Sequence, residues 1–406
     1  MRRVAITGLG AITPLGNSVD AFISGLERGE NATQYMPEWE KYTGLRCLVG
    51  APARMQDEKL IPRQNRRSMG RLSIFAVQAA EQAVKDAGIL PAELSSGRLG
   101  CVIGSTMGSA ESINEAFETI LPDHDLSKLT STKFFQCISH TAALNVGQYL
   151  GITGTVMSTN AACASALQAI GTGYDIIRLG GQDMMLCGGA EGLHPTVVGS
   201  FDVLFAASST FNQDPKNTPR PFDARRDGLV CAEGSGIVVL EDYERAQKRK
   251  AKIYAEIIGY NSFGNGNHVS ESNREAIIAC VNETLTRAAV APGEVDYINA
   301  HATATIQGDK EEAAAIRQIF GDTVPVSSLK GNIGHTLGAS GSLELIASLM
   351  MMEKGVIYPT LNLQEPDKDC RGIKHVMEPL KKEIRIFLKN CFAFGGINAA
   401  LICKKT

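Results

Sequence analysis

An α/β architecture of buried strands and helices, carried by two related halves, is the fold class this sequence predicts. Three observations lead there. Short β-branched runs ending in glycine alternate with amphipathic stretches of helical period. The same order of strand and helix recurs after residue 250. The length of 406 residues exceeds the usual domain size of about 100–150. A hydrophobic content of 44% with 20% charged residues is that of a chain that folds throughout, not of a disordered one.

In chain order, the first half offers the strand RRVAITG at 2–8 and a helix over 71–87 stopped by Gly88. The strands LGCVIGS at 99–105, MMLCGGA at 184–190 and GSGIVVLE at 234–241 follow. The basic stretch AQKRKAKI at 246–253 reads as a solvated link. Beyond it come the strand KIYAEIIGY, the helix REAIIACVNETLTRAA, the strand VDYINAH, the helix SLELIASLMMMEKG and the strand NAALICK. The division is therefore set at 1–250 and 251–406.

Composition excludes several classes. A net charge of −3 gives no overall positive field for nucleic acid or anionic lipid. No run approaches the roughly 20 apolar residues of a membrane helix. The start, MRRVAITGLGAITPLGN, is broken by Gly, Thr and Pro, unlike a signal-peptide core, so a cytoplasmic protein is expected. Ten cysteines are scattered through apolar segments without a CxxC pair, and seven histidines form no HExxH pattern. Buried thiols, no disulfide framework and no metal are expected. Gly8 and Gly10 hint at a dinucleotide loop, but Thr13 stands where its third glycine belongs. Walker A, GxSxG and EF-hand patterns are absent too.

Four segments carry chemistry. In TNAACASALQAIG, Cys163 sits among small residues at a strand-to-helix turn, where free N–H groups and the helix dipole are expected to favour its thiolate. YINAHATATIQGDKEE places His301 past the carboxyl end of a strand. SSLKGNIGHTLGASGSLEL places Lys330 and His335 in a glycine-rich loop entering a helix. NCFAFGGINAAL sets Phe392 and Phe394 before Gly395 and Gly396, either a hinge over a tunnel mouth or a core strand entering a turn. A helix-start thiol with two imidazoles suits acyl transfer.

The chain resembles the β-ketoacyl-acyl carrier protein synthases, in particular the type II elongating enzymes of fatty acid and polyketide synthesis. The resemblance runs from VAITGLGAITPLGN through PRPFDARRDGLVCAEGSGIVVLE to FAFGGINAAL. It implies a thiolase fold of five layers, αβαβα, built from two related halves, and a dimer. It implies decarboxylative condensation of an acyl-Cys163 thioester with malonyl-acyl carrier protein. His301 and His335 would hold the enolate, with Lys330 supporting His335 together with Glu344. The N–H groups of Cys163 and Phe394 would form the oxyanion hole, with Phe394 as gate. Thr303 and Thr305 would bind the pantetheine arm, with Ser270 near it, and Met107 and Phe201 would line the acyl pocket. No cofactor is implied, since substrates travel on the carrier's phosphopantetheine. The carrier is acidic in this family, so Arg63, Arg66, Arg67 and Arg71 in IPRQNRRSMGR form the proposed docking surface.

The sequence departs from the family pattern at Ala302 and Ala393, where glycine is usual, and at Ile397. Alanine is costly at positive φ, so a restricted gate loop is expected there. These changes hint at a specialised polyketide or polyene ketosynthase, whose partner would be a chain-length-factor homologue or a second copy. Alternatives are a degradative thiolase, a priming synthase or a non-catalytic carrier-binding subunit. Cys391 does not fit the thiolase motif, His335 stands where priming enzymes have Asn, and retention of Cys163, His301 and His335 argues against an inert subunit.

Overall fold

Strands that are apolar along their whole length need cover on both faces. The computed structural model describes residues 1–266 and 272–406. Among the described residues eleven strands form one sheet: β1 Val4–Ile12, β2 Leu99–Gly104, β3 Val156–Met157, β4 Met184–Glu191, β5 Gly234–Asp242, β6 Ala255–Gly264, β7 Tyr297–Asn299, β8 Pro325–Ser327, β9 Lys374–His375, β10 Ile386–Ala393 and β11 Ile397–Lys404. Every residue of β1, β2 and β4 is buried.

The pairing pattern repeats. In the first half β3, β2 and β4 run parallel, then β5 and β1 follow antiparallel. In the second half β8, β7 and β10 run parallel, then β11 and β6 follow antiparallel. The halves meet where β1 pairs antiparallel with β6. Helices α1 (Arg71–Asp86) and α2 (Thr141–Leu150) cover the outside of the first half. Four further long helices are α3 (Ser165–Arg178), α4 (Arg274–Ala288), α5 (Ile306–Phe320) and α6 (Ser340–Lys354). Of these, α4 and α5 cover the outside of the second half, and α3 and α6 pack on each other between the halves. The layers are αβαβα, as the resemblance implies.

The helix expected over 71–87 ends at Asp86, with Gly88 at φ 63° beyond it. The basic link is partly structured. A short helix, Tyr243–Lys248, is capped by the Asp242 carboxylate, which accepts from Arg245 N–H, and it buries Tyr243 and Ala246. Strand β10, read in sequence only through its last residues, is buried along nearly all its length.

The central helices approach closely because Gly341 has no side chain: a Cβ there would lie 2.8 Å from the main-chain nitrogen of Leu167. Gly341→Ala is therefore expected to destabilise the protein by about 1–3 kcal/mol through overpacking, despite alanine's better helix propensity. A lowered thermal unfolding midpoint checks this, and an unchanged or raised one contradicts it.

Candidate active site

The two central helices begin alike. A 3-10 turn, Ala162–Ala164, precedes α3, and another, Leu337–Ala339, precedes α6. Each turn opens on a non-glycine residue at positive φ, Ala162 at 45° and Leu337 at 45°. Such strain persists only where the surroundings hold it. At the first turn, Ser165 Oγ accepts from Ala161 N–H at 2.9 Å and donates to the Ala162 carbonyl at 2.7 Å. At the second, Ser340 Oγ lies 2.8 Å from His335 Nδ1.

These helix starts bring Cys163 and His335 together, with His335 Nε2 2.9 Å from Cys163 Sγ. Leu337 N–H donates to His335 Nδ1 at 3.3 Å, which assigns the ring proton to Nε2 and makes it a donor to the sulfur. The ring of His301 stands edge-on to that of His335, centroids 5.3 Å apart at 80°. Ligand atoms of Cys163, His301 and His335 all lie within 4.8 Å of one another, the one such metal-competent set of His, Cys, Asp and Glu among the described residues.

Burial governs the ionisation here. It pushes the Cys163 thiol up to about 12, with Cys391 adding to the shift and Lys330 opposing it. The thiolate expected from the helix start is thus outweighed by desolvation at a residue that is 3% exposed, and the resting group is a thiol. Burial also holds both imidazoles well below the usual histidine range, aided by Lys330 and Lys389, and for His301 by His335. Both rings are neutral at neutral pH. Among the described residues nothing pairs with the buried His301 Nδ1.

Two carboxylates that the sequence reading passed over hold the HATAT loop. Glu312 accepts from the main-chain N–H of His301 at 2.8 Å and of Ala302 at 2.7 Å. Asp309, one turn earlier on α5, accepts from Ala304 N–H at 3.1 Å and from Phe222 N–H at 2.7 Å. Ala304 is the residue at positive φ in this loop, 72°, not Ala302. The signal was available: acids at i and i+3 on the buried face of a helix require donors. Lys330 Nζ lies 2.5 Å from Glu344 Oε1 as expected, and Lys389, also passed over, lies 2.6 Å from Oε2.

A cavity of about 40 Å³ opens over the sulfur, lined by Cys163, His301, His335, Thr303, Thr305 and Phe394 among others. Thr305, Gly308, Ser272 and Phe394 also line a second cavity of about 220 Å³ outside it, so the two make one channel. Thr303 Oγ1 and Thr305 Oγ1 are 3.1 Å apart. Phe392 lines the inner cavity, and Phe201 packs on Phe394 with centroids 5.7 Å apart. Cys391 points away from the cavity, its Sγ donating to the Cys163 carbonyl at 3.4 Å.

Some expectations need correction. Ala393 ends β10 and pairs with Ile397 without positive φ, and Ala302 also lacks it, so neither is strained. The turn between β10 and β11 is accommodated instead by Gly395 at φ 88° and Gly396 at 74°. Met107 is 49% exposed and lines neither cavity. Ser270 lies outside the described residues. The four arginines are not one patch. Arg71 turns inward onto the buried Glu233 at 2.5 Å, and Arg66 pairs with Glu58 at 2.7 Å. Arg63 and Arg67 remain exposed and, among the described residues, outside any ion pair.

Models of the β-ketoacyl synthase N-terminal and C-terminal domains match residues 1–246 and 254–364. The chain belongs to the β-ketoacyl synthase family. This synthase is 34% identical to 3-oxoacyl-[acyl-carrier-protein] synthase 1 of Escherichia coli K12 and 33% identical to that of Haemophilus influenzae. Each alignment covers 100% of this chain and 99% of the relative. Among solved structures, a β-ketoacyl synthase from Burkholderia phymatum superposes with a TM-score of 0.97 at 41% identity, covering both chains fully. A ketosynthase/chain length factor named for ishigamide gives 0.93 at 30%, covering 100% of this chain and 99% of that one. A type II polyketide ketosynthase in complex with its acyl-carrier protein gives 0.92 at 30% with the same coverage.

Alkylation of Cys163 by iodoacetamide follows the thiolate fraction. With burial dominant, its rate is expected to keep rising through pH 9, read by peptide mass mapping. A plateau below pH 8 contradicts that balance.

Proposed function

We propose that Cys163, His301 and His335 carry a decarboxylative condensation that extends an acyl chain by two carbons from malonyl-acyl carrier protein. The observation that supports this best is the convergence of the three reactive atoms within 4.8 Å at the inner end of one channel. Substrates arrive on phosphopantetheine, whose amide groups meet Thr303 and Thr305, and no cofactor takes part.

In the first half-reaction Cys163 Sγ attacks the acyl thioester while the Nε2–H of His335 stabilises charge developing on the sulfur. The N–H groups of Cys163 and Phe394 hold the oxyanion. The C–S bond to pantetheine breaks, and the proton lost by Cys163 ends on the departing thiol. Malonyl-carrier then enters, its thioester oxygen held by the neutral imidazoles. Loss of CO2 leaves an enolate whose carbon attacks the Cys163 thioester. The β-ketoacyl chain leaves on the carrier, Cys163 departs as a thiolate, and a proton taken up from solvent restores its thiol.

Arg63 and Arg67, exposed and outside any ion pair among the described residues, are the cations offered to an acidic carrier protein. The edge strand β3 exposes Val156 and Met157 by 43% and 42%. Half-exposed apolar residues on an unpaired edge fit strand addition by a second copy or by a chain-length-factor homologue. No described helix is long and apolar enough to cross a membrane, in keeping with action in the cytoplasm. A specialised polyketide or polyene ketosynthase paired with a chain length factor is the second reading, favoured by the likeness to a ketosynthase/chain length factor and to a type II polyketide ketosynthase with its acyl-carrier protein.

Incubation with an acyl donor should add the acyl mass to the wild-type protein and not to Cys163→Ser, read by intact mass spectrometry. His335→Ala should lower malonyl decarboxylation by about 10²-fold or more. Because burial lowers both imidazole pKa values well below 6.5, the neutral donors persist as pH falls. Decarboxylation is therefore expected to stay flat from pH 8 to 6.5, and a midpoint near 6.5 contradicts the assignment. Arg63→Glu with Arg67→Glu should raise KM for carrier-bound substrate several-fold while small thioesters react as before.

A further inference from the structure

Behind the imidazoles lies a buried charge cluster larger than the reaction above uses. Lys330, Lys389, Glu344 and Glu312 are each 0–1% exposed. Glu344 projects from α6 between the two ammonium groups, Lys330 Nζ 2.5 Å from Oε1 and Lys389 Nζ 2.6 Å from Oε2. Lys389 Nζ also donates to the main-chain carbonyl of Asn390 at 2.5 Å. Asn390 Nδ2 in turn donates to Glu312 Oε1 at 3.2 Å, the same oxygen that accepts the N–H of His301. One lysine would suffice to neutralise Glu344. The second balances Glu312, so that two cations meet two carboxylates and no net charge is buried.

We propose that Lys389 is a positioning residue for the malonyl half of the reaction. Its ammonium seats Glu344, steadies through Asn390 the carboxylate that holds the His301 main chain, and sets a second fixed positive charge behind the two rings that receive the enolate. The position matters because the enolate is a negative charge formed in a water-poor site, where a preorganised cation acts at full strength. Acyl transfer to Cys163, whose charge develops beside His335 Nε2–H, depends on it less. The proposal rests on the roles given above to Cys163, His301 and His335.

The titratable groups clustered around the two imidazoles are Lys330 from the turn before His335 and Lys389 from β10, which act on both rings, Glu344 from α6 and Glu312 from α5, which act on Lys389, and Cys163 from the turn before α3, on which Cys391 from β10 and Glu191 from β4 act. Both lysines disfavour the charged imidazoles. Glu344 and Glu312 in turn raise Lys389 against the lowering effect of burial, keeping it charged. Removing the Lys389 charge must then raise the imidazole pKa values.

The experiment compares wild type with Lys389→Met, measuring acylation of Cys163 by intact mass and malonyl-carrier decarboxylation by CO2 release across pH. The expected result is a fall in the ratio of decarboxylation to acylation of at least about tenfold, a charge-stabilisation loss of ordinary size. With it, the acid limb of decarboxylation should move to higher pH. A ratio that is unchanged, or that falls with the acid limb unmoved, overturns the proposal, since a purely structural role gives either. Lys389→Gln gives the same reading if the Met protein is not recovered folded. Failure of the underlying assignment shows separately, as wild-type protein that releases no malonyl-dependent CO2.

Discussion

The 2.9 Å contact between His335 Nε2 and Cys163 Sγ joins two helix starts that the fold builds twice. Each half supplies a strand, a 3-10 turn opening at positive φ, and a central helix beginning at a serine. Because the halves are related by the same strand pairing, the two turns face each other across the α3–α6 layer. One turn presents the sulfur, and the other the imidazole. The close approach of the two helices at Gly341 and Leu167 is what keeps this distance short, so backbone packing and reactivity are parts of one constraint.

Burial then decides the chemistry. A thiol at a helix start is often thought of as acidic, yet desolvation here outweighs the dipole and Lys330 together. The same burial serves the second half-reaction well. Neutral rings keep their N–H donors, and donors in a site poor in water stabilise an enolate far better than they would in solution. The site therefore gives up a resting thiolate and gains a strong enolate receptor. The cost of inactive thiol is borne only in the acylation step, where His335 can assist as charge develops.

Much of this was legible in the sequence. The alternation of glycine-ended strands with helices gave the class, and the recurrence after residue 250 gave the two halves. Cys163, His301, His335, Lys330 and Glu344 fall where the family motifs place them, and the structure brings them together. What escaped reading depends on tertiary partners. Glu312 and Asp309 look like the polar side of an amphipathic helix until the loop they hold is packed above them. Lys389 sits inside an apolar strand, where a single lysine reads as an edge or an exception. Arg66 and Arg71 look like one basic surface because the carboxylates they meet, Glu58 and Glu233, lie at other separations in the chain. Positive φ was expected at Ala302 and Ala393 by analogy with glycine, but strain is set by hydrogen bonds. It appears at Ala304, whose N–H is fixed by Asp309.

The channel itself follows from where loops can lie in such a fold. Parallel strands β7 and β10 end on the same side, so the HATAT loop and the Phe394 hairpin both rise over Cys163. Alternation along β10 divides its residues: Phe392 faces the cavity, while Lys389 and Cys391 face the central helices. The strand thereby links the two sides of the site, aromatic wall in front and fixed charge behind. A change at residue 389 is transmitted through Glu344 and Asn390, without contact with the substrate, whereas a change at 392 alters the wall. Position along one strand, even or odd, thus separates substrate fit from electrostatics.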